Sequence, residues 1–113
     1  MDYKLLVAEA AGGALAGYLC YGPTPMTEAT WDLYWIASDP DFRGRGAGSR
    51  LLLAMEEEVL RRGGRQVRIE TSSQGEYAAT RAFYDRHRYH EASRLADFYK
   101  PGDDLVTLYK KLG

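Results

Sequence analysis

A mixed α/β fold is predicted for this 113-residue chain, with about six strands in one central sheet and two main helices. Three features predict it. Short apolar and β-branched runs recur between Gly, Pro and Asp punctuation, as strands do. One long segment after a glycine-rich loop switches to three- and four-residue apolar spacing, the mark of an amphipathic helix. A second helical pattern then falls between two further strand-like runs, so the predicted order is β-β-β-α-β-α-β-β.

The elements follow in order. Tyr3 to Glu9 reads as a strand, and the Gly12-Gly13 pair beyond it is a hairpin signal. Leu15 to Tyr21 is the return strand, ended by Gly22-Pro23 and a polar loop from Thr24 to Ala29. Trp31 to Ser38 is an aromatic and β-branched strand, stopped by Asp39-Pro40 because proline has no N–H for a ladder. Beyond Gly48, Leu51, Leu52, Met55, Val59 and Leu60 form one helical stripe, opposite Glu56, Glu57, Arg61 and Arg62. Gly63-Gly64 ends this helix as a C-cap. Gln66 to Thr71 is a strand, Glu76 to His87 a helix, Tyr89 to Tyr99 a strand and Leu105 to Lys110 a closing strand. Strict alternation through the third strand places Asp32, Tyr34, Ile36 and Ser38 on one face, and Trp31, Leu33, Trp35 and Ala37 on the other. With no repeat, linker or low-complexity segment, residues 1–113 are expected to form a single domain.

Composition narrows the function. A formal net charge of −1 gives no global positive field to gather nucleic acid. Cys20 is the only cysteine, so no internal disulfide forms and a reducing compartment fits. No signal peptide and no apolar run long enough to span a membrane is present, so a cytoplasmic location without membrane association is expected. His87 and His90 stand at no metal-ligand spacing with Cys20, and no metal is expected. Cys20 itself reads as a buried strand thiol rather than a nucleophile.

The stretch Arg43-Gly44-Arg45-Gly46-Ala47-Gly48-Ser49 carries the chemistry. It lies between a strand and a helix N-terminus, where free N–H groups and the positive end of the macrodipole attract anions. Glycine allows close backbone approach and positive φ. Together these make a phosphate or pyrophosphate site. It is not a P-loop, since no Gly-Lys-Ser/Thr follows, and it lacks the third glycine of the dinucleotide fingerprint.

Arg43-x-x-Gly46-x-Gly48, after Ile36-Ala37-Ser38-Asp39-Pro40 and before Leu51-Leu52, resembles the acetyl-CoA signature of the GCN5-related N-acetyltransferases, the GNAT family. Downstream, Ala82-Phe83-Tyr84-Asp85-Arg86-His87-Arg88-Tyr89 resembles that family's Phe-Tyr-x-x-x-Gly-Phe helix end. The two stand in the family's order, and the likeness runs over nearly the whole chain. It implies a GNAT-like fold and transfer of an acetyl group from acetyl-CoA to a primary amine by direct attack in a ternary complex. Relative to the family, the usual first strand and two helices are missing ahead of the first strand here. That departure raises the alternative of a non-catalytic or partner-completed CoA-binding module.

Such a transfer must hold the pyrophosphate, polarise the thioester carbonyl, take a proton from the amine and give one to the thiolate. The resemblance assigns the pyrophosphate to the amides of Arg43, Gly44, Arg45, Gly46, Ala47, Gly48 and Ser49. It assigns the pantetheine arm and oxyanion donor to Ile36, Ala37 and Ser38. Asp32 stands where several members carry a glutamate base; Glu28 and Glu70 are rivals for that role. Tyr84 matches the family's tyrosine acid, and a phenol with pKa near ~10 suits a departing thiolate. Tyr77 replaces an asparagine common in the family, and Arg88 replaces the glycine that ends the helix. Phe83 is expected in the core. Glu28 and Tyr34 are expected to contact a small-molecule amine or protein amino-group acceptor. An unpaired sheet edge leaves room for a homodimer.

Overall fold

In the computed structural model, residues 3–10, 12–38 and 46–113 are described. Six strands form one mixed sheet: β1 (Lys4–Glu9), β2 (Leu15–Pro23), β3 (Thr30–Ser38), β4 (Gln66–Ser72), β5 (His90–Lys100) and β6 (Asp103–Lys111). Their spatial order is β1-β2-β3-β4-β6-β5, and two helices accompany them, α1 (Ala47–Arg61) and α2 (Ala78–Arg86). This is the predicted element order. The chain falls into two compact units, Met1–Val67 with Leu112–Gly113, and Arg68–Lys111.

In the first unit β1, β2 and β3 form an antiparallel meander whose buried side chains meet α1. Leu19, Leu33, Leu51, Leu52, Met55 and Val59 are nearly or fully buried, so most of the sequence stripe on α1 is its packing face, but Glu56, expected opposite it, is buried too at 7% exposure, and Leu60 is only half-buried. Close approach is required at Gly17, where an added Cβ would stand 2.6 Å from the Ala37 carbonyl oxygen and 3.4 Å from Leu51 Cδ1. The helix ends in a Schellman-type turn: Gly64 N–H donates to Val59 O at 2.8 Å and Gly63 N–H to Leu60 O at 3.0 Å, with Gly63 at φ 87°. Gly64 then leaves space that Val59 and the Trp31 indole fill, and Tyr21 lies 5.8 Å from Trp31 between ring centroids.

Strict alternation in β3 is overturned by a bulge. Cys20 pairs with Trp35, yet its neighbour Tyr21 pairs with Leu33, which leaves Tyr34 as the extra residue. Each extra residue reverses the faces beyond it. Trp31 and Leu33 therefore share a side with Ile36 and Ser38, while Asp32 shares the other with Trp35 and Ala37. A hydrophobicity pattern carries no mark of a single inserted residue when aromatic and polar side chains occupy both faces.

In the second unit, β5 and β6 form a hairpin whose register slips twice. The last strand begins at Asp103 rather than Leu105, which tightens the turn after Lys100. Helix α2 starts later than its apolar spacing suggests, because Gly75–Tyr77 is a 3-10 turn. Its end repeats the α1 device without glycine: Arg88 takes φ 69°, Arg88 N–H donates to Asp85 O at 2.9 Å and Tyr89 N–H to Tyr84 O at 3.0 Å. Tyr84 is buried at 3% exposure whereas Phe83 is only half-buried, so the core residue of the pair is the tyrosine.

Candidate active site

The first unit holds the start of α1. Gly46 is the N-cap residue, at φ 81° and ψ 7° in the left-handed region that only glycine adopts without strain. Among the described residues no side-chain hydrogen bond caps this end, and the first turn contains no carboxylate. Arg50 N–H makes an in-helix bond to Gly46 O at 3.0 Å, while the amides of Ala47 and Gly48 stand in the turn where a helix supplies no acceptors of its own. An added Cβ at Gly46 would meet nothing within 4 Å among the described residues. These features suit an anion such as a pyrophosphate. Arg43, Gly44 and Arg45 lie outside the described residues.

Ile36, Ala37 and Ser38, at the end of β3, are half-buried. Ala37 and Ser38 line a cleft of about 240 Å³ together with Leu15, Gly17 and Tyr18 from β2. That is smaller than the roughly 300–1,000 Å³ of a pocket enclosing a whole drug-sized ligand, so it suits one arm of a larger molecule. Asp32 is buried at 7% exposure, not a solvated strand-end carboxylate, and has interaction partners. Tyr34, at the bulge, is half-buried, its ring 5.0 Å from Tyr3 and 6.3 Å from Trp35 between centroids. Glu28 is exposed on the loop before β3, where Thr27 Oγ1 donates to Thr24 O at 2.8 Å. Cys20 is buried, and burial raises its thiol pKa, away from nucleophilic thiolate character.

The second unit holds Tyr84. Its carbonyl accepts the Tyr89 N–H, and its ring packs edge-on against the buried Tyr89 ring at 5.7 Å. Burial pushes the Tyr84 phenol up to about 12, so it keeps its proton throughout the neutral range. Glu70 is half-exposed on β4, 4.0 Å from Arg68.

A polar brace escaped the sequence reading. Ser72 Oγ donates to Asp103 Oδ1, both residues being buried, and Gln74 N–H donates to Ser72 Oγ at 3.1 Å. Arg81 Nη1 on α2 donates to the carbonyls of Ser72 at 2.7 Å and Gln74 at 2.9 Å. This fixes the segment that leads from β4 into the helix bearing Tyr84. The polar run Ser72-Ser73-Gln74 was visible, but its partner lies 31 residues on, beyond any local pattern. Among the described residues no cluster of His, Cys, Asp and Glu could hold a metal, and no helix is long and apolar enough to cross a membrane.

The profile of the Acetyltransferase (GNAT) family matches residues 2–89. No curated protein matches the sequence. Among solved structures, one from Desulfovibrio desulfuricans assigned to the GNAT acetyltransferases is 40% identical, with a TM-score of 0.94, over 98% of this chain and 70% of that one. Ribosomal-protein-alanine N-acetyltransferase from Brucella melitensis is 26% identical, with a TM-score of 0.80, over 97% of this chain and 69% of that one. An aminoglycoside 6'-N-acetyltransferase complexed with coenzyme A shares the fold at 18% identity and a TM-score of 0.82, over 97% of this chain and 73% of that one.

Proposed function

Because the chain belongs to the GNAT family of acetyltransferases, we propose that it moves an acetyl group from acetyl-CoA to a primary amine, in a ternary complex and by direct attack. The observation that carries this reading is the α1 N-terminus: a left-handed Gly46 and, among the described residues, no side-chain cap, no first-turn carboxylate and nothing filling the space beside Gly46. A CoA complex of a structural neighbour supports the same cofactor.

Acetyl-CoA supplies the acyl group as an activated thioester. The residues from Arg43 to Ser49 hold its pyrophosphate, the charge being met by backbone amides and the helix dipole. Ile36, Ala37 and Ser38 would hold the pantetheine arm, and a main-chain N–H among them would polarise the thioester carbonyl. Asp32 takes the proton from the attacking amine, directly or through a water, with Glu28 and Glu70 as rivals. Tyr84 donates to the departing sulfur. Burial keeps the phenol protonated, but by raising it to about 12 it also makes it a weaker acid than a free phenol, a poorer match to the departing thiolate than the ordinary value of ~10. Glu28 and Tyr34 meet the acceptor. One domain in the cytoplasm, acting on a small amine or a protein amino group without nucleic acid or membrane, completes the reading.

The chain spans 70% of the Desulfovibrio protein and 66% of a nourseothricin acetyltransferase of the same fold. The second reading is a CoA-binding module that is inactive alone or completed by a partner. Calorimetric titration of acetyl-CoA, followed by thiol release across a panel of amines, separates the two. Binding with turnover supports the enzyme, binding without turnover supports the module, and no binding refutes both.

A further inference from the structure

Helix α2 is nine residues long and buries one of them, Tyr84, where α1 buries six. A helix so short, without an apolar stripe, gains little from its own turns or from packing to hold it in one place. Its N-terminus receives no side-chain cap among the described residues. A hydroxyl that passes a proton must nevertheless stand at one spot. The Tyr84 phenol is shifted by burial rather than by a hydrogen bond or a charge. Where it points is therefore decided by the placing of α2 and by ring packing, against Phe83 at 5.4 Å and Tyr89 at 5.7 Å.

Arg81 supplies what packing does not. It lies three residues before Tyr84, on the same side of α2. Its Nη1 gives one hydrogen to each of two carbonyls, Ser72 O at 2.7 Å and Gln74 O at 2.9 Å. These belong to the end of β4 and the segment after it, which the β5–β6 turn clamps. Ser73 N–H donates to Asp104 O at 3.1 Å, Asp104 N–H to Ser73 Oγ at 2.8 Å, and Gln74 Nε2 to Gly102 O at 2.7 Å. Ser72 Oγ donates to the buried Asp103. The far end of the anchor is rigid, and Arg81 carries that rigidity onto the helix.

We propose that Arg81 is a positioning residue for Tyr84: it ties α2 to the clamped end of β4 and so sets the point from which the phenol donates. This rests on the reading of Tyr84 as the proton donor, but the anchoring is testable without turnover. A misplacement of about 1 Å far from the chemistry can cost about a hundredfold, so the loss of one anchor is large enough to be read in a rate.

The nine tyrosines are labelled with carbon-13 at Cζ, and the Tyr84 NMR signal is assigned by its absence in Tyr84→Phe. In Arg81→Met that signal moves, and its titration falls by at least about one pH unit from about 12 as water reaches a displaced ring. The signals of Tyr18 and Tyr34, on β2 and β3, stay in place. In turnover with the fastest amine of the panel, Arg81→Met lowers kcat by about threefold to tenfold while the acetyl-CoA Kd holds. Added to Tyr84→Phe it costs nothing further, because the group it positions is gone. Arg81→Lys, which still offers hydrogens to both carbonyls, stays within about twofold of the parent. Arg81→Gln takes the place of Arg81→Met if the latter loses its circular dichroism, with the same pattern expected. An unmoved Tyr84 signal overturns the proposal. So does an equal loss of kcat in both backgrounds, which marks a general loss of structure. If Tyr84→Phe keeps the parent kcat, or no amine turns over, the proton-donor reading falls and the Tyr84 signal alone judges the anchor.

Discussion

Replacing Tyr84 with phenylalanine tests both the burial and the role of its hydroxyl. The phenol rises from 10.0 to about 12, with desolvation as the cause. Two units correspond to about 2.7 kcal/mol of preference for the neutral form in the folded state. Because the folded pKa lies above the unfolded one, this stability is fully present below pH 10 and is lost as pH rises toward 12. At pH 11 the loss is about 1.4 kcal/mol, since the unfolded phenol is ionised there and the folded one is not. Tyr84→Phe has no such proton to lose. Urea unfolding of both proteins from pH 8 to pH 11 is therefore expected to show the stability difference moving toward the variant by about 1.4 kcal/mol. Tyr21 and Tyr99 are also raised but are common to both proteins, so they cancel. In the neutral range the same variant should lose at least about tenfold in kcat, as loss of a general acid does, while acetyl-CoA affinity holds. Parallel stability curves over that pH range would refute the burial argument, and an unchanged kcat would remove Tyr84 as the proton donor.

Gly46→Val places a β-branched residue at φ 81° and fills space beside the helix start that no described residue occupies, so acetyl-CoA affinity should fall by at least about tenfold with the circular dichroism unchanged. An unaltered Kd by calorimetry contradicts the pyrophosphate assignment. Gly64→Ala sets a Cβ 2.3 Å from Val59 Cγ1 and 2.8 Å from Trp31 Cδ1, and is expected to cost roughly 1–3 kcal/mol in urea denaturation. An unchanged midpoint rules out that packing. Arg88→Gly relieves a left-handed arginine at the end of α2, and after the added chain entropy of glycine should still stabilise by about 0.5 kcal/mol or more. A lower melting temperature in this variant goes against the strain.

Much of the fold was legible because it is written locally. The stripe Leu51, Leu52, Met55 and Val59 needed only its spacing to mark the buried face of α1, and Gly63-Gly64 only its position to mark a C-cap. The features that make the start of α1 a candidate anion site are local in the same way. A helix N-terminus has free amides whatever surrounds it, and Gly46 takes the left-handed conformation that a tight entry demands. Tyr84 was found by its place in a motif, but its burial, and the half-exposure of Phe83, follow from which face of α2 packs.

What escaped depended on residues far apart in the chain. The bulge at Tyr34 is set by how β3 pairs with β2, and it reversed the side on which Asp32 lies. Ser72 meets Asp103, and Arg81 ties α2 to the end of β4, through hydrogen bonds that no periodicity announces. Backbone conformation at a glycine or a helix end is governed by a few neighbouring residues, so the linear chain carries it. The facing of a strand and the partner of a buried carboxylate are governed by long-range pairing and packing, which exist only once the sheet has formed.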